Sequence, residues 1–156
     1  MSISSSIVDF HSHILPAADH GSRGMEETRR QLSIYRNAGV TTVVATPHFY
    51  PNSVSVKQFL STVNSAAAEL SAHLATESIQ SPRILLGAEV LYCDNLHYIE
   101  NLEDLCIRGT DLLLLELPMS EWPESLFQTV SELNKRCRVI LAHIDRYVRH
   151  HADDLW

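Results

Sequence analysis

The chain has 156 residues, 45% of them apolar, a formal net charge of −7 and three cysteines. That length suits one domain with a real core, and an acidic balance without any Lys/Arg-rich run excludes a reader of the nucleic-acid backbone. The apolar runs are too short to span a bilayer, and the opening MSISSSIVDF lacks the basic and apolar regions of a secretion signal, so no membrane partner is expected.

Taken in order, short β-branched runs alternate with stretches of helical period. Strands are expected at residues 7–10, 41–46, 83–87, 112–115 and 138–142, and helices at 25–38, 56–75, 95–105 and 123–135. This β-α-β-α order predicts about five parallel strands joined by helical crossovers. Gly39 stands where a helix-ending glycine belongs, Ser55 and Gln58 have capping-box spacing, Pro123 suits a first turn, and Leu32, Tyr35 and Ala38 share the expected core face of their helix. Cys93, Cys106 and Cys137 have no CxxC spacing and are odd in number, which reads as free thiols in a reducing cytoplasm.

The strand ends carry the chemistry. The first strand runs into DFHSHILPAADHG with Asp9, His11 and His13; the second into His48, the third into Glu89, the fourth into Glu116 and the fifth into His143. In α/β folds the C-terminal strand edge is where sites assemble, because the loops converge there. A lone H-x-H is weak evidence, but five coincident strand ends are not. Glu89 and Glu116 follow apolar strands, where a carboxylate without a cation is costly. His73, His97, His150 and His151 lack such placement and are expected to be solvated. Histidine and carboxylate without thiolate suit Mn²⁺, Fe²⁺ or Zn²⁺, and paired ions of this kind hydrolyse phosphoesters. Arg146, three residues past His143, and Arg23 in the first loop are candidate phosphate binders.

The stretches DFHSHILPAADHG, VVATPHFY, LLGAEVLY, LLLLELP and LAHIDRY together resemble the polymerase-and-histidinol-phosphatase (PHP) superfamily, in its branch of bacterial protein tyrosine phosphatases of capsule and exopolysaccharide synthesis. The resemblance implies a distorted seven-stranded β/α barrel with up to three Mn²⁺-like ions. It implies His11, His13, Glu89, Glu116 and His143 as ligands, His48 as a catalytic position at the cluster's edge, and Arg146 as catalytic phosphate binder. The implied substrate is a phosphotyrosine protein, a tyrosine autokinase among the candidates.

Two departures stand out. The family's Asp-Asp-Gly reads Asp19-His20-Gly21 here, so His20 takes a ligand position, with Asp19 as a substitute. The family's later strand-end Asp-x-His has no counterpart between Tyr147 and Trp156. A β/α barrel needs about 250 residues, roughly 31 per unit. The expectation is therefore an incomplete PHP-type barrel over residues 1–156, a single PHP-like domain lacking the C-terminal β/α units, with open edges on its first and fifth strands through which a homo-oligomer could form. Alternative readings are a small-molecule phosphatase of the histidinol-phosphate type and a non-catalytic remnant that binds a partner.

Overall fold

A computed structural model describes residues 6–77 and 79–147. The chain divides into two compact units, one of residues 1–47 and 57–87, the other of residues 48–56 and 88–156.

The first unit contains β1 (Ile7–Ser12), α1 (Met25–Asn37), β2 (Val40–Ala45), nearly all of α2 (Val56–Thr76) and β4 (Arg83–Leu86). Its three strands pair in parallel in the order β1-β2-β4. Val43, Val44 and Ala45 of the middle strand are wholly buried, as expected of a strand flanked on both sides. On α2, Phe59, Val63, Ala66 and Leu70 recur at spacings of three and four and are all buried, which makes one apolar stripe. Helix α1 ends where its sequence says: Gly39 takes φ 78°, a left-handed conformation that a glycine enters without a Cβ penalty. Its N–H donates to the Arg36 carbonyl at 3.0 Å. Leu32 is buried and Tyr35 half-buried, but Ala38 is exposed, because the helix has already turned into its cap there.

The second unit contains β3 (His48–Phe49), β5 (Glu89–Leu91), β6 (Leu112–Glu116), α3 (Leu126–Leu133), β7 (Arg138–Leu141) and the single turn α4 (Ile144–Tyr147). Its strands are again all parallel, in the order β3-β5-β6-β7. Leu113, Leu115, Leu96, Leu102, Leu133 and Tyr147 form its buried core.

Among the described residues, seven strands thus stand where five are expected. The two extra ones are two and three residues long and follow β2 and β4 after only Thr46-Pro47 and Gly87-Ala88, so a continuous apolar run hides them. Pro47 has no N–H to give a ladder, which accounts for the first break. The helix expected at 95–105 is instead two 3₁₀ turns, Leu96–Tyr98 and Leu102–Leu105. Asn95 and Asn101 hold φ of 64° and 57°, and each left-handed residue interrupts helical propagation. Helix α3 starts at Leu126 rather than 123, since Pro123 forms a turn whose carbonyl accepts the Leu126 N–H at 2.9 Å.

Among the described residues no barrel closes. The first sheet ends on β1 and β4, the second on β3 and β7. Among the described residues the first and fifth predicted strands, β1 and β7, each lie at the end of a sheet, and β1 exposes Ile7, Val8 and Phe10. No helix is long and apolar enough to cross a membrane among the described residues. Cys93 is half-buried, Cys106 and Cys137 are buried, and all three are free.

Candidate metal centre

In the first unit the site begins with an irregular strand. Asp9 pairs with Val43 and Ser12 with Ala45, so three steps along β1 match two along β2. The extra residue makes a bulge, a feature that re-aims a side chain where a regular pleat could not. The Asp9 carboxylate holds this bend, its Oδ1 accepting the His11 N–H at 3.1 Å and its Oδ2 accepting the Tyr35 hydroxyl at 2.6 Å. Burial, and then the bond to Asp9, push the Tyr35 phenol pKa upward, so it stays a donor. Asp9 is therefore a brace for the strand end, and His11 lies inside β1 rather than past it.

Past the strand, Ile14 and Leu15 are buried, and the Ile14 carbonyl accepts the Thr28 hydroxyl at 2.7 Å, which pins the loop to α1. The loop returns so that the Ser22 N–H donates to the His13 carbonyl at 3.0 Å. This return puts Asp19 beside the His13 ring, Oδ2 to Nδ1 at 2.6 Å, while Asp19 Oδ1 accepts the Gly21 N–H at 2.8 Å. A proton on Nδ1 leaves the His13 lone pair on Nε2, which faces His11 Nε2 at 3.3 Å. A carboxylate behind a histidine fixes its tautomer and raises its basicity, the outer arrangement common to metal-binding imidazoles. Asp19 thus stands behind His13 with both oxygens engaged. His20 is exposed and stacks on the His13 ring, centroids 5.9 Å apart.

In the second unit the register explains the clustering. His48 pairs with Glu89, and Glu89 pairs with Leu114, so Glu116, two residues on, shares their face. One ligand atom from each of His48, Glu89 and Glu116 lies within 4.8 Å of the others. The Glu89 side chain has no exposed surface, and His48 Nδ1 stands 3.2 Å from its Oε2 and 3.7 Å from Glu116 Oε2. The ring of Tyr50 stacks on His48 at 5.3 Å. His143 follows β7 with φ 54°, an uncommon conformation outside glycine, and its Nε2 lies 2.7 Å from Glu89 Oε1. Backbone held this way persists only where surrounding contacts fix it, and such residues concentrate at functional sites.

Arg146 is exposed, its backbone N–H donating to the His143 carbonyl at 2.8 Å. Arg23 is also exposed, with its N–H on Glu27 Oε2 at 2.9 Å. Of the histidines expected to be solvated, His73 pairs with Glu77 at 3.4 Å and His97 packs on Tyr98 at 4.1 Å, while His150 and His151 lie outside the described residues. Sequence reasoning missed Asp19 as a support for His13, read Tyr35 only as a core residue and not as a donor to Asp9, and missed Tyr50 and Tyr147 altogether, because nothing in their spacing marks those roles.

In the first unit, then, His13 stands against Asp19 and His11, and in the second His48, Glu89 and Glu116 converge; imidazole and carboxylate without a thiolate are the donor set of borderline divalent metals. Residues 7–154 match the capsular polysaccharide synthesis family CpsB/CapC. The chain belongs to this family. Among relatives of this CpsB/CapC member, the tyrosine-protein phosphatase YwqE of Bacillus subtilis (strain 168) is 28% identical over 142 residues, 90% of this chain and 55% of YwqE. The tyrosine-protein phosphatase CpsB of Streptococcus pneumoniae is 27% identical over 149 residues, 90% of this chain and 58% of CpsB. A chain from the crystal structures of YwqE and CpsB, described as unique metal-dependent tyrosine phosphatases, matches with a TM-score of 0.79 and 26% identity, over 96% of this chain and 61% of that one. The chain thus spans a little over half the length of the curated relatives it matches, and its parallel α/β architecture is that of their PHP-type fold.

The Asp19 carboxylate gives this centre a specific test. Asp19→Asn keeps the shape but removes the charge behind His13, and loss of such an outer partner lowers metal affinity by about 10–100-fold. Titration of metal-stripped protein with Mn²⁺ should show that weakening; an unchanged affinity would mean that His13 does not bind metal.

Proposed function

We propose that this CpsB/CapC member acts in a metal-dependent protein-tyrosine phosphatase, hydrolysing phosphotyrosine on a protein of capsule or exopolysaccharide regulation, a tyrosine autokinase for example, in the cytoplasm. The observation that carries the reading is the wholly buried Glu89 carboxylate set among His48, Glu116 and His143. An acidic group so placed is costly unless a cation accompanies it. In this reading His11, His13, His20, Glu89, Glu116 and His143 are metal ligands, with Mn²⁺ as the preferred ion and two or three ions bound in a complete family member.

When bound, such ions neutralise charge on the phosphoryl group and supply a nucleophile at neutral pH. The protein's own residues do the rest. Asp19 holds the His13 tautomer, and the left-handed backbone at His143 aims that ring at Glu89. Arg146 forks onto phosphate oxygens, with Arg23 as a second cation. His48 serves as a catalytic residue at the edge of the donor set. The leaving phenolate, with a pKa of about 10, asks little of an acid.

Protein purified without chelator should carry two or three equivalents of metal by elemental analysis and, with Mn²⁺ added, turn over a phosphotyrosine peptide. Histidinol phosphate should be the poorer substrate by about tenfold or more in kcat/KM. The reverse preference would favour a small-molecule phosphatase. Less than one equivalent of metal and no turnover would overturn the enzymatic reading in favour of a partner-binding remnant.

A further inference from the structure

Beside the Glu89 carboxylate the second unit holds an aromatic ring whose side is set by strand alternation. Phe49 of β3 is buried at 1% exposure, so His48 and Tyr50, one residue to either side of it, turn to the opposite face. There the Tyr50 ring stacks on the His48 imidazole, centroids 5.3 Å apart and planes only 14° from parallel. His48 Nδ1 is in turn 3.2 Å from Glu89 Oε2 and 3.7 Å from Glu116 Oε2. A single imidazole thus links the Tyr50 ring to both carboxylates.

This ring is held but not covered. The Tyr50 carbonyl accepts the Ser53 N–H at 2.9 Å and the Val54 N–H at 3.3 Å, a tight turn that fixes the backbone beneath it. A tyrosine ring has only two side-chain torsions to order, so contact with it costs little entropy. Tyr50 nevertheless remains 39% exposed, next to a strand residue and a carboxylate that are both buried. An aromatic face so placed favours a second ring, offset or edge-on, at about 4.5–7 Å between centroids. Tyr98 supplies the contrast. It too is exposed against a histidine, His97 at 4.1 Å, but the two planes are tilted by 44°, and among the described residues neither joins a cluster of metal-type donors.

We propose that Tyr50 determines specificity, its ring receiving the aromatic ring of phosphotyrosine while the phosphate lies at the donor set of His48, Glu89 and Glu116. This inference rests on the phosphotyrosine reading above and adds to it the residue that tells an aryl ester from an alkyl one. The reach follows from the ester itself. In phosphotyrosine one oxygen joins phosphorus to the ring, so a phosphate at the donor set keeps its ring among the side chains that border that set. A serine or threonine phosphate has no ring to place there and gains nothing from Tyr50.

The test is binding of two phosphonates, read by calorimetry on Mn²⁺-supplemented protein. Benzylphosphonate carries a methylene in place of the ester oxygen and cannot be hydrolysed; cyclohexylmethylphosphonate has a similar apolar bulk without the flat ring. Benzylphosphonate should bind about fivefold more tightly, the worth of one aromatic pair. Tyr50→Ala should bring the two affinities together, Tyr50→Phe should keep the preference, and Tyr98→Ala should leave it intact. Equal affinities in the unsubstituted chain, or no phosphonate binding, would overturn the proposal. So would a preference that survives Tyr50→Ala while both ligands weaken alike, the mark of a residue that only buttresses His48. Hydrolysis of a phosphotyrosine peptide by the unsubstituted chain is measured in parallel. Turnover without a ring preference would leave the phosphatase reading standing and remove Tyr50 from it; a Tyr50-dependent preference without turnover would do the reverse.

Discussion

Glu89→Gln should abolish the Mn²⁺-dependent rise in melting temperature while leaving the metal-free protein within a few degrees of its original midpoint. Glutamine matches glutamate in size and can still accept a hydrogen from His143 Nε2, now 2.7 Å from Glu89 Oε1. What it removes is a negative charge with no exposed surface, whose burial costs the metal-free fold free energy. Losing that charge therefore offsets most of the damage to the local hydrogen bonding. With metal, the balance reverses. A ligand that binds only the folded state adds about 2.7 kcal/mol at a hundredfold excess over its Kd, or roughly 5–11 °C for a chain of this size. A variant that binds ions at least ~100-fold more weakly, beyond the effect of losing an outer partner, forfeits nearly all of that gain. Phosphatase turnover should fall by a comparable factor. Thermal melts with and without Mn²⁺ make the comparison, and a metal-dependent rise that persisted in Glu89→Gln would remove Glu89 from the ligand set.

Glu89 also shows what a sequence can and cannot disclose. Its position after RILLGA marks it as a buried carboxylate, and Glu116 after LLLL reads the same way, because apolar runs report burial directly. The burial of these two carboxylates at strand ends was therefore legible, as was the parallel α/β class. Their geometry was not. That His48 faces Glu89 depends on β3 and β5, strands too short to leave a period-2 signature. The bulge that turns His11 depends on a register mismatch with β2, which is a property of two strands and not of one. Asp19 illustrates the same limit. Loop aspartates are common, and only the return of Ser22 to the His13 carbonyl places this one behind an imidazole. Asn95 and Asn101 left a faint trace, since asparagine tolerates a left-handed backbone, but the apolar spacing of 95–105 outweighed it in favour of a helix.

The loop's return also makes Gly21 a demanding glycine. A Cβ added there would lie 2.2 Å from His13 Cβ, 2.6 Å from the His13 carbonyl oxygen and 3.0 Å from Asp19 Oδ1. Two of those atoms belong to the backbone or its first branch and cannot swing aside, so Gly21→Ala must push the loop off the strand end. Overpacking of this kind costs about 1–3 kcal/mol. The shift also endangers the Gly21 N–H bond to Asp19 and the Ser22 N–H bond to His13, at about 1 kcal/mol each. Gly39 provides the contrast. Its φ of 78° makes alanine strained by about 1–2 kcal/mol, yet nothing lies within 4 Å of the added carbon. Gly21→Ala should therefore lower stability by about 3 kcal/mol or more, and Gly39→Ala by only about 1–2 kcal/mol. Chemical denaturation measures both. Because the displaced loop carries Asp19 away from the His13 ring, Gly21→Ala should also weaken Mn²⁺ binding in the residual folded protein, whereas Gly39→Ala, remote from that loop in sequence, should not. Equal losses from the two substitutions, in stability and in metal affinity alike, would mean that the close packing of Gly21 on His13 does not hold this corner of the site.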